Sequence, residues 1–308
     1  MNSEKNFYLK TKNRAVNLFR NIQNFNLRRY FYYSKTKNKK DFKYYLSAAI
    51  IIKNEADYVA EWIEYHLLVG FDHFYIYDNG SDDDIQKVLA PYVAENIIEY
   101  INYPGEGMQL SMINDAIRRS SSETFWLAIN DIDEFFVPKT SNTVSVFLKE
   151  FESFPAVEVN WLVYGSSGQF KKNKGLVIER FNKHSSPSEY FSNHFVKLIY
   201  NPRATSYGDV HRGFYWNLKL AVNTDKEKTR LTALQRQGKF DKLVINHYYT
   251  KSFEEYQNKM GKPQVDGTAP LHNMKSWEND DEKSKIEDNI MGKYIMEVRK
   301  NIFNRFKE

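Results

Sequence analysis

Asp131 and Asp133 stand one residue apart, directly behind the apolar run Phe125-Trp126-Leu127-Ala128-Ile129 and directly before Glu134, Phe135 and Phe136. A run of that length and composition reads as a buried strand. In extended backbone, residues i and i+2 project to the same side, so both carboxylates face one way from the strand's end. Like charges between hydrophobic walls repel, and burial sharpens the repulsion. A divalent cation is the usual remedy. Mg²⁺ or Mn²⁺ takes oxygen ligands, commonly one or two carboxylates, with substrate phosphates completing the shell. A solvated turn also collects acids, but it has no need of the aromatics that follow at once.

Two more apolar runs end in polar clusters. Residues 46–52 give way to Lys53-Asn54-Glu55, and residues 74–77 to Asp78-Asn79-Gly80-Ser81. Carboxylates and amides gathered in this way suit the hydroxyls of a sugar nucleotide, while the Asp pair suits a metal on its diphosphate. Each residue has a plainer competing role. Asp78 can close an Asx-turn, and Glu55 can sit in a helix's first turn, where the dipole favours an acid.

The elements that must position these groups alternate regularly. After the strand at 46–52, Tyr58, Trp62, Tyr65 and Leu68 keep helical spacing until Gly70 stops them. A strand at 74–77, a helix at 85–92, a strand at 97–101 and a helix through Met112, Ile113, Ala116 and Ile117 lead to the central strand. This alternation predicts an α/β fold with a mostly parallel sheet and helices on both faces. Ligands bind such sheets beyond the strands' carboxyl ends, where all three polar clusters fall. Beyond the Asp pair, residues 144–151 read as a short helix and 156–164 as a strand. Gly165-Ser166-Ser167-Gly168 offers exposed N–H groups to an acceptor or phosphate. Residues 169–240 show no clean period and suit an acceptor site, with Tyr164, Phe214, Tyr215 and Trp216 as aromatic platforms.

The chain has 308 residues, 42% of them hydrophobic, with a formal charge of +5. Cations crowd residues 1–43, whose only acids are Glu4 and Asp41. There Val16, Phe19, Ile22 and Phe25 recur at helical spacing among arginines, which suits a helical appendage at an anionic membrane surface. The remainder is close to neutral, so a nucleic-acid-coating body is not expected. The absence of cysteine excludes disulfides and Cys-based zinc sites and fits a reducing compartment. No apolar run approaches the ~20 residues of a spanning helix. The expected organisation is a basic aromatic segment at 1–43, the α/β body at 44–260, and a charged tail at 261–308 ending in a helix that caps the body or lies on a membrane.

At these residues a resemblance becomes specific. Lys53-Asn54-Glu55-Ala56 through Trp62, Tyr65, His66 and Gly70, then Tyr77 to Asp83, resembles the nucleotide-binding half of GT-A glycosyltransferases, closest to family-2-like and family 92 (DUF23-type) enzymes. Asp131-Ile132-Asp133-Glu134-Phe135 matches their Asp-x-Asp segment. Trp161, Tyr164 to Gly168, residues 197–202 with His211, and Asn246 to Ser252 with Glu254-Glu255-Tyr256 continue the match in order, so that it covers residues 45–260. The resemblance implies a GT-A (Rossmann-like) fold, with Asn54, Glu55, Asp78 and Asn79 at the nucleotide. It places Asp131 by the ribose or diphosphate and Asp133 on a Mn²⁺ or Mg²⁺ ion. A late histidine often completes such a metal site, and His211 and His247 are both candidates. Lys197, Arg203, Arg212 and Lys251 could meet phosphate charge, though each reads better as a surface cation.

Family 92 enzymes are described as inverting transferases using UDP-galactose. Inversion requires a carboxylate to deprotonate the acceptor hydroxyl. Glu134, Asp209 and Glu158 are options for this base, and Glu106 a weaker one. The resulting expectation is a metal-dependent, UDP-sugar-using hexosyltransferase acting on a glycan or glycolipid. Its expected setting is a bacterial cytoplasmic membrane's inner face, in surface polysaccharide or lipooligosaccharide synthesis. A metal-dependent nucleotidyltransferase and a non-catalytic sugar-nucleotide or glycan-binding protein are the alternatives.

Overall fold

The computed structural model describes residues 2–39, 41–235, 237–260 and 273–307, with side chains from residue 11 onward. Helices α1 (Asn2–Gln23) and α2 (Leu27–Thr36) precede the body. The body then alternates through β1 (Tyr44–Ile52), α3 (Ala56–Leu68), β2 (His73–Asp78), α4 (Ile85–Ala94), β3 (Ile98–Asn102), α5 (Gln109–Ser120) and β4 (Thr124–Ile129). Next come β5 (Glu134–Pro138), α6 (Val144–Leu148), β6 (Ala156–Val163), α7 (Val177–Arg180), β7 (Lys183–Ser185) and β8 (Val196–Tyr200). A hairpin of β9 (Thr205–Asp209) and β10 (Arg212–Tyr215) leads to β11 (Leu243–His247), α8 (Phe253–Gln257), α9 (Met274–Lys283), β12 (Ser284–Glu287) and α10 (Gly292–Arg305).

One eight-stranded sheet runs in the order β3-β2-β1-β4-β8-β6-β11-β5. The first four strands are mutually parallel, and β8 lies antiparallel to both β4 and β6. β11 is parallel to β6, and β5 closes the edge antiparallel to it. Six strands therefore share one direction, and β8 and β5 oppose them. The expected mostly parallel sheet is borne out, and both its faces are covered. Along β1, Ala48, Ile50 and Ile52 face α3, α4 and α10, while Ala49 and Ile51 face α5. Burial on both sides is why this strand is an unbroken apolar run rather than an alternating one. The β9–β10 hairpin lies close over α5, where a side chain at Gly208 would run into Ile117 and Ile113.

Two expectations need correction. The Asp pair does not prolong β4, because Ile132 and Asp133 form a tight turn that reverses the chain into β5. Asp131 and Asp133 consequently point to different partners instead of side by side. The irregular stretch at 169–240 contains β8, a fully buried strand at the middle of the sheet. Residues 273–307 cap the body, one of the two placements expected for them. β12 pairs with β7, Tyr164 donates to Asp288 at 2.9 Å, and the Arg305 guanidinium meets buried Glu64 at 2.5 Å. Part of the expected tail, residues 261–272, lies outside the described residues.

Candidate functional site

Because six strands point one way, their carboxyl ends share a rim, and the opposed strands β8 and β5 begin there. Lys197 opens β8 and Glu134 opens β5, so antiparallel strands bring further charged groups to the rim. The turn after β4 is held rigidly. Asn130, fully buried, donates to Glu134 O at 3.0 Å, and the Asp131 N–H donates to Glu134 Oε2 at 3.1 Å. The Trp62 indole N–H, from α3, donates to Glu134 O at 3.0 Å, and the Tyr248 N–H donates to Asp133 O at 2.8 Å.

Each acid of the turn has a lysine. The Lys197 ammonium, 1% exposed, donates to Asp131 Oδ2 at 2.6 Å and lies 3.6 Å from Glu134 Oε1. Lys259 donates to Asp133 Oδ2 at 2.7 Å and to Tyr249 O at 3.1 Å. Lys251, also buried, sits with its ammonium 3.4 Å from the Tyr58 ring centre. Burial and the neighbouring Lys259 push its pKa down to about 8, against the pull of Glu55, Asp133 and Glu255. Burial works to raise the Asp133 carboxyl, but Lys259 and His247 outweigh it and hold the group well below the usual carboxylate range. Glu134 shifts the other way, raised by burial and by Asp131 and Asp133 against the pull of Lys197. Glu55 is raised by burial and opposed by Lys251 and Lys259, which places it in the same charge cluster.

The two late histidines flank Trp161, at ring-centre distances of 4.4 Å for His247 and 5.4 Å for His211. Only His247 reaches the Asp pair, with Nε2 3.5 Å from Asp133 Oδ1. Its Nδ1 is buried with no hydrogen-bond partner. His211 bonds Val196 O through Nδ1 at 2.7 Å, and burial together with nearby Lys197 lowers its pKa to about 4. A carboxylate and an imidazole 3.5 Å apart can share one divalent cation whose remaining ligands are phosphate and water. Among the described residues, no cluster of three or more acidic or histidine side chains forms a complete protein cage.

The other predicted site residues organise the loops. Asn54, in the left-handed region at φ 59°, accepts from the Asp82 N–H and donates its own N–H to Ser81 Oγ, both at 2.9 Å. Asp78 accepts from Tyr100 OH at 2.5 Å and from the Ser81 N–H at 2.8 Å. Asn79 holds the next loop through Tyr103 O at 3.0 Å and Gly105 O at 2.9 Å. Asp209 occupies the hairpin tip, part-exposed, accepting from Arg212 Nε at 2.7 Å. Glu158 lies towards the other end of β6, accepting from Thr229 and Gln235, each at 2.7 Å.

Two expectations about the acceptor side are corrected. Tyr164, Phe214, Tyr215 and Trp216 are core residues, and the half-buried aromatics near the turn are Trp161, Phe195 and Tyr249. Ser166 and Ser167 are tied inward, to Asp281 and to the Asn182 and Lys183 N–H groups. Lys197 and Lys251, expected as surface cations, are buried, and Lys259, which the sequence did not single out, reaches Asp133. A lysine inside the apolar run Val196-Lys197-Leu198-Ile199 is the one signal that could have flagged a buried cation.

Comparison with known proteins agrees with the motifs. Residues 43–290 match the model of Glycosyltransferase family 92. Glycosyltransferase family 92 protein At1g27200 of Arabidopsis thaliana is 31% identical over 238 residues, covering 73% of this chain and 38% of that protein. Os08g0121900 of Oryza sativa subsp. japonica is 26% identical over 68% of this chain and 34% of its own length. The beta-1,4-galactosyltransferase galt-1 of Caenorhabditis elegans is 30% identical over 33% of this chain and 27% of its own. The chain thus spans little more than a third of the relatives it matches most fully. Among solved structures, S. aureus TarS 1–349 aligns with 85% of this chain and 72% of its own, at 14% identity and a TM-score of 0.39. The relatives come from plants and a nematode, which overturns the bacterial setting expected from the sequence. On the family match, which takes in the Asp131–Glu134 turn and both histidines, this chain belongs to glycosyltransferase family 92.

Proposed function

We propose that the rim binds a UDP-sugar with Mn²⁺ or Mg²⁺ and transfers its hexose, galactose by analogy with the nematode relative, to a glycan or glycolipid hydroxyl with inversion. The observation that carries this reading is the contact of Asp133 with His247 beside three lysines. Asp133 and His247 are the residues that would hold the cation, and His211 stands apart beside Lys197. When bound, the metal offsets charge gathering on the departing diphosphate. Lys259 and Lys251 add fixed positive charge for the same phosphates, and low exposure strengthens their effect. Asn54, Glu55, Asp78 and Asn79 shape the nucleotide side of the rim, and Asp131 is held towards it by Lys197.

Among the carboxylates considered as base, Glu134 is sealed from solvent and braces Asp131 through its N–H, and Glu158 is occupied elsewhere. That leaves Asp209, part-exposed at the hairpin tip and paired with Arg212, as the base in this reading. Incubation with Mn²⁺, UDP-galactose or UDP-glucose, and β-galactoside acceptors tests the reading. UDP release that depends on acceptor supports it. Pyrophosphate release from nucleoside triphosphates, with sugar nucleotides inert, would replace it with nucleotidyl transfer.

A further inference from the structure

Helices α1 and α2 are amphipathic the wrong way round. On α1, Asn17 and Asn21 lie one turn apart and face the body. The Asn21 amide donates to Tyr215 O at 2.7 Å and its oxygen accepts from Ser206 Oγ. Asn17 accepts from the Tyr215 N–H at 2.9 Å and donates to Lys219 O at 3.2 Å. The outward face carries Phe19 and Ile22 on α1 and Leu27 and Phe31 on α2, all between 55% and 65% exposed, while Phe25, in the link between the helices, and Tyr30 rest against Trp216 at its edge. These positions follow helical spacing, so they form a stripe and not scattered exposures. A packed surface helix normally turns its apolar face inward. Here polar groups are satisfied inside and the apolar ones are left uncovered.

We propose that this stripe docks on an anionic lipid surface. Residues 5–40 carry eleven lysines and arginines and no aspartate or glutamate. Exposed apolar side chains framed by cations are the chemistry of an interfacial helix on acidic headgroups. A second copy of the chain is a poor occupant, because a two-fold interface would press this cationic surface against itself. A cavity of about 600 Å³ beside α1, lined by Arg14, Lys219 and Lys228 with Phe154 and Leu218, fits a headgroup phosphate above an apolar floor.

Docking here fixes orientation, since both helices are fastened to the body. The Arg29 guanidinium donates to Thr205 O at 3.0 Å and Tyr32 OH to Ser121 O at 3.0 Å. Arg203 donates to Thr36 O at 2.8 Å and Lys39 O at 2.9 Å. Ser121 precedes β4, Tyr215 ends β10, and Thr205 follows the end of β8, so these anchors lie at the sheet end opposite the carboxylate rim. A bilayer bound to the stripe therefore holds the protein by its far end and leaves the rim free to meet an acceptor that extends away from the membrane. The proposal is independent of which sugar the rim uses.

Flotation of the full chain with phosphatidylcholine vesicles, with and without about 30% phosphatidylserine, tests it. The expected result is binding only to the acidic vesicles, lost as salt rises from about 0.1 to about 0.5 M. A Phe19→Ser, Ile22→Ser, Phe31→Ser triple variant is expected to bind at least tenfold less, with its melting temperature and UDP binding unchanged. Equal flotation of the triple variant and the parent would overturn the proposal. So would failure of the parent to bind acidic vesicles, or a parent dimer that the triple variant abolishes in sedimentation.

Discussion

The two ends of the sheet manage charge in opposite ways. At the carboxylate rim, Asp131, Asp133 and Glu134 are buried or half-buried and matched by Lys197 and Lys259, with Lys251 alongside. At the other end, α1 turns neutral amides inward, and α1 and α2 leave apolar side chains exposed. Buried ion pairs rarely stabilise a fold over apolar packing of equal volume. Their concentration at one rim therefore reads as preparation for a charged ligand. Residues 5–40, which cover the far end, carry cations without acids, a surface suited to an extended anionic partner.

The largest effect is expected from breaking the rim's balance. Replacing Lys197 by Met leaves Asp131 and Glu134 without their cation and should cost about 3–5 kcal/mol in urea unfolding. Adding Glu134→Gln to that variant should restore part of the loss. If Lys197→Met is neutral, the pairing is not a structural necessity. Next in size is the choice between the histidines. His247→Ala should weaken Mn²⁺-supported UDP binding by about tenfold or more, the loss of one cation ligand, whereas His211→Ala should leave the metal requirement intact. Equal losses would mean that both serve the cation.

At the far end, Asn21→Ala strands buried partners on Ser206 and Tyr215 and should cost about 1–3 kcal/mol. Phe19→Ser, on the exposed face, should stay within about 0.5 kcal/mol. The reverse order would mean that the helix packs with its apolar face inward in solution. The smallest effect concerns pH and His66. Complete burial lowers its pKa to about 3, partly offset by its bond to Trp62 O. The unfolded chain takes up that proton near pH 6.5, while the folded chain does so only near 3. His66 therefore lowers stability as pH falls through that window. His66→Phe should flatten the acid side of a melting-temperature profile, and an unchanged slope would refute the assignment.

Much of the sheet's first half was legible in the sequence, because strands buried on both faces are long apolar runs and the helices between them keep their period. The three polar clusters were correctly assigned to one rim for the same reason. Other features were not legible. β8 is five residues long with a lysine in it, and its place between β4 and β6 depends on pairings far along the chain. The turn at Ile132-Asp133 carries neither Gly nor Pro, and is fixed instead by Asn130, Trp62 and Tyr248, none of which a local pattern connects to it. Lys259 follows a short capped helix and shows nothing local to suggest that it reaches Asp133. The choice of His247 over His211 likewise required the register of β11 against β5, where His247 sits opposite Glu134.

The most direct test of the central claim is calorimetric titration of UDP into the chain and into Asp133→Asn, each with Mn²⁺ and again with EDTA. Binding that requires Mn²⁺ and disappears in the variant is the predicted result. UDP binding that ignores both the metal and the substitution, or no nucleotide binding at all, would contradict a cation site built on Asp133.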